Sequence, residues 1–172
     1  MNAAQVEKAL VEELGDAVIS SRVQERKLLK RHKHQSVWLR VKKKSLHDAI
    51  RKIGEYGVPH LSVISGTDLG KSVELLYHFC IGMGKAQQEF VVTIAIELSK
   101  KDLTVPTITD LVPGAVLTER EKQEFFGIKV IGLPDPRRAF LADDLKCCHP
   151  WIKDDPGTKK YARYVHERGV PK

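Results

Sequence analysis

Residues 89–98 read Glu89-Phe90-Val91-Val92-Thr93-Ile94-Ala95-Ile96-Glu97-Leu98, and their alternation decides the fold. Phe90, Val92, Ile94 and Ile96 recur at every second position, with Glu89, Thr93 and Glu97 on the other parity. Neighbouring side chains of a strand point to opposite faces, so this pattern predicts a strand with one face on a core and one face wet. Immediately upstream, His60 to Ser65 and Val73 to Ile81 read as two further strands. Gly66–Gly70 and Gly82–Gly84 supply the turns, so the middle of the chain is expected to be an antiparallel meander.

Asn2 is placed to cap a first helix whose apolar residues Val6, Leu10 and Leu14 recur every fourth position, with Gly15 as its stop. Ala17 to Leu29 and Ser36 to Val41 then read as a strand pair. Between them Lys30-Arg31-His32-Lys33-His34 carries like charges that suit an exposed, mobile hairpin tip. Ser45 and Asp48 resemble a capping box for a second helix with Leu46, Ile50 and Ile53 as its buried stripe, ending near Gly54 and Gly57 before Pro59. After Lys101, prolines at 106, 113, 134, 136, 150, 156 and 171 interrupt long elements. One helix is expected there, with Thr118–Glu121 as capping box, an Arg120–Glu124 pair and Gly127 as its stop.

The expected fold class is therefore α+β: a mixed, largely antiparallel sheet, helices on one face, and an extended C-terminal arm. Residues 1–105 are expected to form the α+β domain, 106–150 to complete it, and 151–172 to form a partner-binding tail. At 172 residues, 42% hydrophobic and 30% charged, the chain is long and apolar enough to fold as one domain. Its net charge of +7 favours anionic partners without choosing among nucleic acid, lipid and acidic protein surfaces. Cys80, Cys147 and Cys148 form an odd count with two adjacent members, which disfavours a disulfide framework and implies a reducing compartment. Met1 to Leu14 lacks the pattern of a signal peptide, and no apolar run reaches the roughly 20 residues of a spanning helix, so any membrane association is expected to come through partners.

Four constellations carry residue types capable of chemistry. Cys147, Cys148 and His149, with Cys80, are metal-binding residue types, but no two-residue spacer separates any pair. None of the seven histidines stands in a nucleophile context. Gly66-Thr67-Asp68-Leu69-Gly70-Lys71-Ser72 ends like a phosphate loop, yet only three residues separate its glycines and a strand follows, which predicts a tight turn. The basic run from Arg22 to Lys44 contains one aromatic residue, Trp38, which leaves an independent nucleic-acid-binding module as the rival reading. A small metalloenzyme is the third.

Thr118 to Leu141 reads Thr-Glu-Arg-Glu-Lys-Gln-Glu-Phe-Phe-Gly-Ile-Lys-Val-Ile-Gly-Leu-Pro-Asp-Pro-Arg-Arg-Ala-Phe-Leu. This resembles the signature of the thirty-kilodalton subunit of respiratory complex I and of its relatives in membrane-bound hydrogenases and sulfur reductases. Glu119, Arg120, Glu121, Glu124, Phe125, Phe126, Gly127, Pro134, Asp135 and Arg137 carry the match, and His149-Pro150-Trp151-Ile152-Lys153-Asp154 looks like the family's Pro-Leu-Arg-Lys-Asp element. Leu133 stands where quinone-reducing relatives usually have histidine or lysine, Ala139 replaces a larger apolar residue, and Trp151-Ile152 replaces Leu-Arg. These departures lean toward the hydrogenase-like or sulfur-reducing branch.

The resemblance implies a non-catalytic peripheral-arm subunit of an ion-translocating oxidoreductase on the cytoplasmic side of the membrane. Its partners would be a large hydrogenase-like subunit of the 49 kDa type and a small iron-sulfur subunit. Iron-sulfur clusters, and nickel-iron where present, would lie in those partners, and this chain would hold no cofactor and no catalytic site. The residues expected to face the partner are Glu119, Arg120, Glu121, Glu124, Pro134, Asp135, Arg137, Arg138, Phe140, Leu141, Pro150, Lys153 and Asp154. Arginine beside large apolar groups, as in Arg137 to Leu141, has the composition of an interface anchor. Tyr161, Tyr164 and Val165 in the apolar-poor tail are spaced to cover a groove on another protein.

Overall fold

The computed structural model describes residues 2–29, 32–84, 89–145 and 148–168, without the side chains of 27–29, 32, 33, 144 and 164–168. Helix α1, Ala3–Leu14, begins with a full capping box: the Asn2 side chain accepts from the Gln5 N–H, and the Gln5 side chain accepts in return from the Asn2 N–H. Gly15, at φ 48°, closes it in a conformation open to glycine. The next elements are β1 (Val18–Leu29), β2 (His32–Val41), α2 (Leu46–Glu55), β3 (His60–Asp68), β4 (Ser72–Ile81) and β5 (Phe90–Ser99). After them come β6 (Thr104–Pro106), α3 (Val116–Phe126), β7 (Lys129–Ile131) and α4 (Pro156–Arg168).

The main sheet has the order β1-β2-β5-β4-β3. All its pairs are antiparallel except the central β2–β5 joint, which is parallel, so the sheet is mixed as expected. A parallel joint needs a crossover, and the chain from α2 through the β3–β4 hairpin provides it. One face carries Val37 and Leu39 of β2, Val73, Leu75, Tyr77 and Phe79 of β4, and Val92, Ile94 and Ile96 of β5, each at most 1% exposed. Val6 and Leu10 of α1 and Leu46, Ile50 and Ile53 of α2 close over it. Each such burial contributes roughly 2 kcal/mol. The opposite face is open at its rim but not wet throughout. Trp38 and His78 meet edge to face at 6.2 Å, and Thr93 beneath them is 1% exposed and bonded to His78.

Several local readings are corrected. Ser45 makes no capping hydrogen bond; it ends a 3-10 turn leading into α2, and Asp48 pairs with Arg51 instead. The strand expected from Ser36 begins at His32, with pairing carried to Leu29–His32, so the hairpin is longer than charge repulsion suggests. Lys30 and Arg31, and with them the mobility expected of the tip, lie outside the described residues. β3 continues to Asp68, and the turn after it is tight: the Leu69 N–H reaches the Ser72 carbonyl at 2.9 Å and the Gly70 N–H reaches Asp68 at 2.7 Å. Among the described residues two α-helices follow Lys101 instead of one. α4 forms because Asp155 caps it, accepting from the Thr158 N–H and hydroxyl at 2.6 and 2.7 Å, with Pro156 at the first helical position.

Gly66 couples the sheet to α3. A Cβ there would lie 2.6 Å from the Phe126 ring and 3.3 Å from Leu75, so the glycine is the space into which α3 docks. We expect Gly66→Ala to displace Phe126 and lower stability by about 2 kcal/mol, read as an earlier urea midpoint with unchanged slope. A midpoint equal to wild type would contradict this packing.

Candidate partner-docking site

α3 starts two residues before the expected capping box, after a 3-10 turn at Pro113–Ala115. Thr118 is thus inside the first turn and donates to the Ala115 carbonyl at 3.0 Å, so it caps nothing. Glu119 is 2% exposed; it accepts from the Ile108 N–H at 2.8 Å and the Thr107 hydroxyl at 2.5 Å, tying α3 to the segment after β6. Burial pushes its pKa up against the opposing pull of those two bonds.

The expected Arg120–Glu124 pair is replaced by two separate grips on one loop. Arg120 donates to the carbonyls of Arg137 (2.6 Å) and Arg138 (3.2 Å) and lies 3.4 Å from the Asp135 carboxylate. Gln123 adds a weaker bond to the Pro136 carbonyl at 3.4 Å. Glu124, 6% exposed, accepts the N–H groups of Ala139, Phe140 and Leu141, the latter two at 2.9 and 2.8 Å. Burial works against its ionisation, but the three N–H groups and Arg138 win and hold its pKa below the ordinary value. Asp135 is bracketed by Arg137, which donates from its N–H and guanidinium, and these bonds hold its carboxyl well below the usual range.

Residues 135–141 are thereby fixed from behind by α3 and exposed in front. The Arg137 side chain is 83% exposed and Phe140 43%. Pro134 and Arg138 are also exposed, with Arg138 donating to the Leu145 carbonyl at 3.3 Å; Leu141 is half-buried. Phe140 continues into an aromatic ridge. Phe125 lies 6.1 Å from it and stacks on Trp151 at 4.3 Å, and Trp151 meets Phe126 at 5.3 Å. Beneath the ridge Lys122, 3% exposed, pairs with Glu121 at 2.5 Å and lies 4.6 Å from the Trp151 ring centre. Burial lowers the pKa of that lysine. Gly127, at φ 67°, lets the His149 ring approach to where a Cβ would be 2.8 Å away, and His149 Nδ1 sits 2.9 Å from the Glu124 carbonyl.

Of the expected partner-facing residues, Glu119 and Glu124 are instead buried supports, and Arg120 is spent on the loop. Arg137, Arg138, Pro134 and Phe140 stand on the surface, joined by Trp151, which in the sequence stands out only as a departure from a motif. Pro150 is half-buried beside Trp151. Lys153 and Asp154 belong to another cluster: the Lys153 N–H reaches Asp68 at 2.9 Å, Lys100 reaches it at 2.8 Å, and Asp154 lies 3.8 Å from Lys100. Asp68 is buried, yet these bonds hold its pKa down at about 2, so it latches the C-terminal segment to the β3–β4 turn. Tyr161 is exposed on α4, and the Tyr164 and Val165 side chains lie outside the described residues.

Among the described residues no three His, Cys, Asp or Glu side chains stand together as a metal site; Cys147 lies outside them. In the basic run, Arg40 pairs with Glu74 and Glu97, Lys43 with Asp102, and Arg22 lies 5.0 Å from the centre of the Trp38 ring. Among those same residues, no helix is long and apolar enough to cross a membrane.

Residues 39–161 match the family model described as the respiratory-chain NADH dehydrogenase 30 kDa subunit. The chain belongs to this family. The 30 kDa family segment includes the whole α3 platform and the first turns of α4. An NADH-quinone oxidoreductase subunit of Novosphingobium aromaticivorans is 31% identical over 151 residues, covering 87% of this chain and 45% of that protein. Formate hydrogenlyase subunit 5 of Escherichia coli is 34% identical over 85 residues, 49% of this chain but only 15% of that protein. The chain therefore spans less than half the length of either relative. A chain in the solved structure of the membrane-bound sulfane sulfur reductase, an archaeal respiratory membrane complex, shares the fold with TM-score 0.70 at 20% identity, covering 98% of this chain and 95% of that one.

The Glu124 clamp has a signed pH dependence. Its folded pKa lies below the ordinary 4.5, so its stabilisation is present above that value and is lost as pH falls through the lowered one. We expect Glu124→Ala to cost about 2 kcal/mol at pH 7, with the gap to wild type closing below pH about 4 in urea denaturation series. A gap that persists unchanged at pH about 3 would show that charge is not what holds the loop.

Proposed function

We propose that this chain, whose family is that of subunits of complex I-like and related membrane-bound respiratory complexes, is a non-catalytic peripheral-arm subunit that docks and steadies a large hydrogenase-like subunit of the 49 kDa type. The observation that carries the reading is the loop of residues 135–141, held from behind by Arg120, Gln123 and Glu124 while Arg137, Arg138 and Phe140 project outward. A loop already ordered in the free chain loses little entropy on binding, and arginine with aromatic rings is the composition of an interface hot spot. Formate hydrogenlyase subunit 5 lends support, because the stretch that resembles this chain there forms a small part of a much longer polypeptide. A domain that recurs joined to a larger chain is suited to sitting against one.

On this reading the iron-sulfur clusters, and any nickel-iron centre, reside in the large subunit and a small iron-sulfur subunit, and ion translocation is a property of the assembly. The chain sits at the cytoplasmic side of the membrane through its partners. Leu133 favours the hydrogenase-like or sulfur-reducing branch, since it is 8% exposed within the core and places no titratable group at that position.

Reversing both charges, Arg137→Glu with Arg138→Glu, is expected to lower recovery of the assembled complex at least about tenfold, a loss of 1.4 kcal/mol or more in association. The isolated variant loses the Arg137–Asp135 pair and the Arg138 charge near Glu124, so it should still unfold cooperatively but at an earlier denaturation midpoint than wild type. Complex recovered at the wild-type level would contradict the docking role.

A further inference from the structure

The two edges of the main sheet are built differently. β1 carries Arg22, Glu25 and Arg26, and α1 reaches across to it through Glu7, which accepts the Ser21 hydroxyl. Charges along an edge strand oppose pairing with another chain. β3, the opposite edge, reads His60-Leu61-Ser62-Val63-Ile64-Ser65-Gly66-Thr67-Asp68, with no lysine, arginine, glutamate or proline. Its one acidic residue, Asp68, is turned inward to Lys100. Among the described residues, β4 alone bonds the β3 backbone between Leu61 and Thr67. Val63 on this edge is 39% exposed, and Val58 just ahead of it is 90% exposed.

A groove of about 480 Å³ runs beside this edge, bounded by β3 from Val63 to Asp68 on one side and by α3 and Trp151 on the other. Its charges are closed on themselves: Glu121 with Lys122 at 2.5 Å, and Asp68 with Lys100 at 2.8 Å. On a chain of net charge +7 the groove is therefore a neutral stretch. We propose that the β3 edge receives an extended, uncharged segment of a neighbouring subunit, added to the sheet as a sixth strand. Strand addition would satisfy the outward N–H and C=O groups of β3, and alternate side chains of the incoming segment would fill the groove. A charged segment would bury charge opposite walls that have no counter-charge to spare.

The neighbouring walls also select a single strand over a second copy of this chain. A strand needs only the 4.7–4.9 Å of ordinary sheet spacing. A second copy paired through its own β3 would have to bring its α3 and Trp151 into the space beside the same edge. The two contacts share Trp151, but the β3 backbone and Val63 lie outside the Arg137–Phe140 loop, so amide exchange at each reports them separately.

Amide hydrogen exchange on the full chain, alone and in its purified native complex, tests the proposal. The outward amides between Leu61 and Thr67 are expected to exchange freely in the isolated chain and to slow by at least about 100-fold in the complex. Val63→Lys should lower complex recovery about tenfold, while Ile19→Lys on the β1 edge, at a position 59% exposed, leaves it unchanged. Both variants should retain the wild-type denaturation midpoint. Equal exchange of these amides in free chain and complex overturns the proposal, as does Val63→Lys complex recovered as well as Ile19→Lys. Protection that grows with concentration of the isolated chain overturns it in favour of self-pairing. The amides of Ala139 to Leu141 report the loop contact in the same experiment and distinguish its failure from this one.

Discussion

Three successive backbone N–H groups, those of Ala139, Phe140 and Leu141, converge on the buried Glu124 carboxylate, and Arg120 grips the two carbonyls just before them. A carboxylate with several donors is a strong local constraint, because removing it strands buried polar groups as well as deleting bonds. The loop has few other means of order. Its prolines and exposed side chains give it no place in either sheet, so its shape is imposed by one helix face. That face is itself positioned by Phe126 entering the space left by Gly66, and by Glu119 holding the segment after β6. The exposed face of the loop is thus the last link in a chain that begins with sheet packing.

Much of the fold was legible because burial on one face imposes period-two and period-four patterns. β5 is the plainest case: Phe90, Val92, Ile94 and Ile96 all lie on the core face, and the mixed sheet follows from joining that strand to the β1–β2 hairpin. The errors cluster at helix starts. Ser45 and Thr118 have the composition of caps, but 3-10 turns begin each helix earlier, and composition does not record that offset. α4 escapes the sequence reading although Asp155-Pro156 and Thr158 are a helix-start signal, since the scarcity of apolar residues in the tail weighs more heavily.

At the candidate site, the motif marks a segment that the structure orders, but several of its charged residues point inward. Glu119, Arg120 and Glu124 read as partner-facing, yet their bonds run inward to Ile108, to Arg137 and Arg138, and to residues 139–141. Sequence shows that charged residues occur at helical spacing; it does not show whether a loop folds back to consume them. Trp151 is undervalued for a related reason, as its stacking on Phe125 joins two segments far apart in the chain, a closeness that only the fold creates.

On the proposed function, the loop of residues 135–141 faces a larger neighbouring subunit. A photo-crosslinking amino acid at position 140, where the natural side chain is 43% exposed, tests it directly in the assembled native complex. One dominant adduct is expected, joining this chain to the large hydrogenase-like subunit. Illumination that yields no adduct, or only adducts with other proteins, would contradict it.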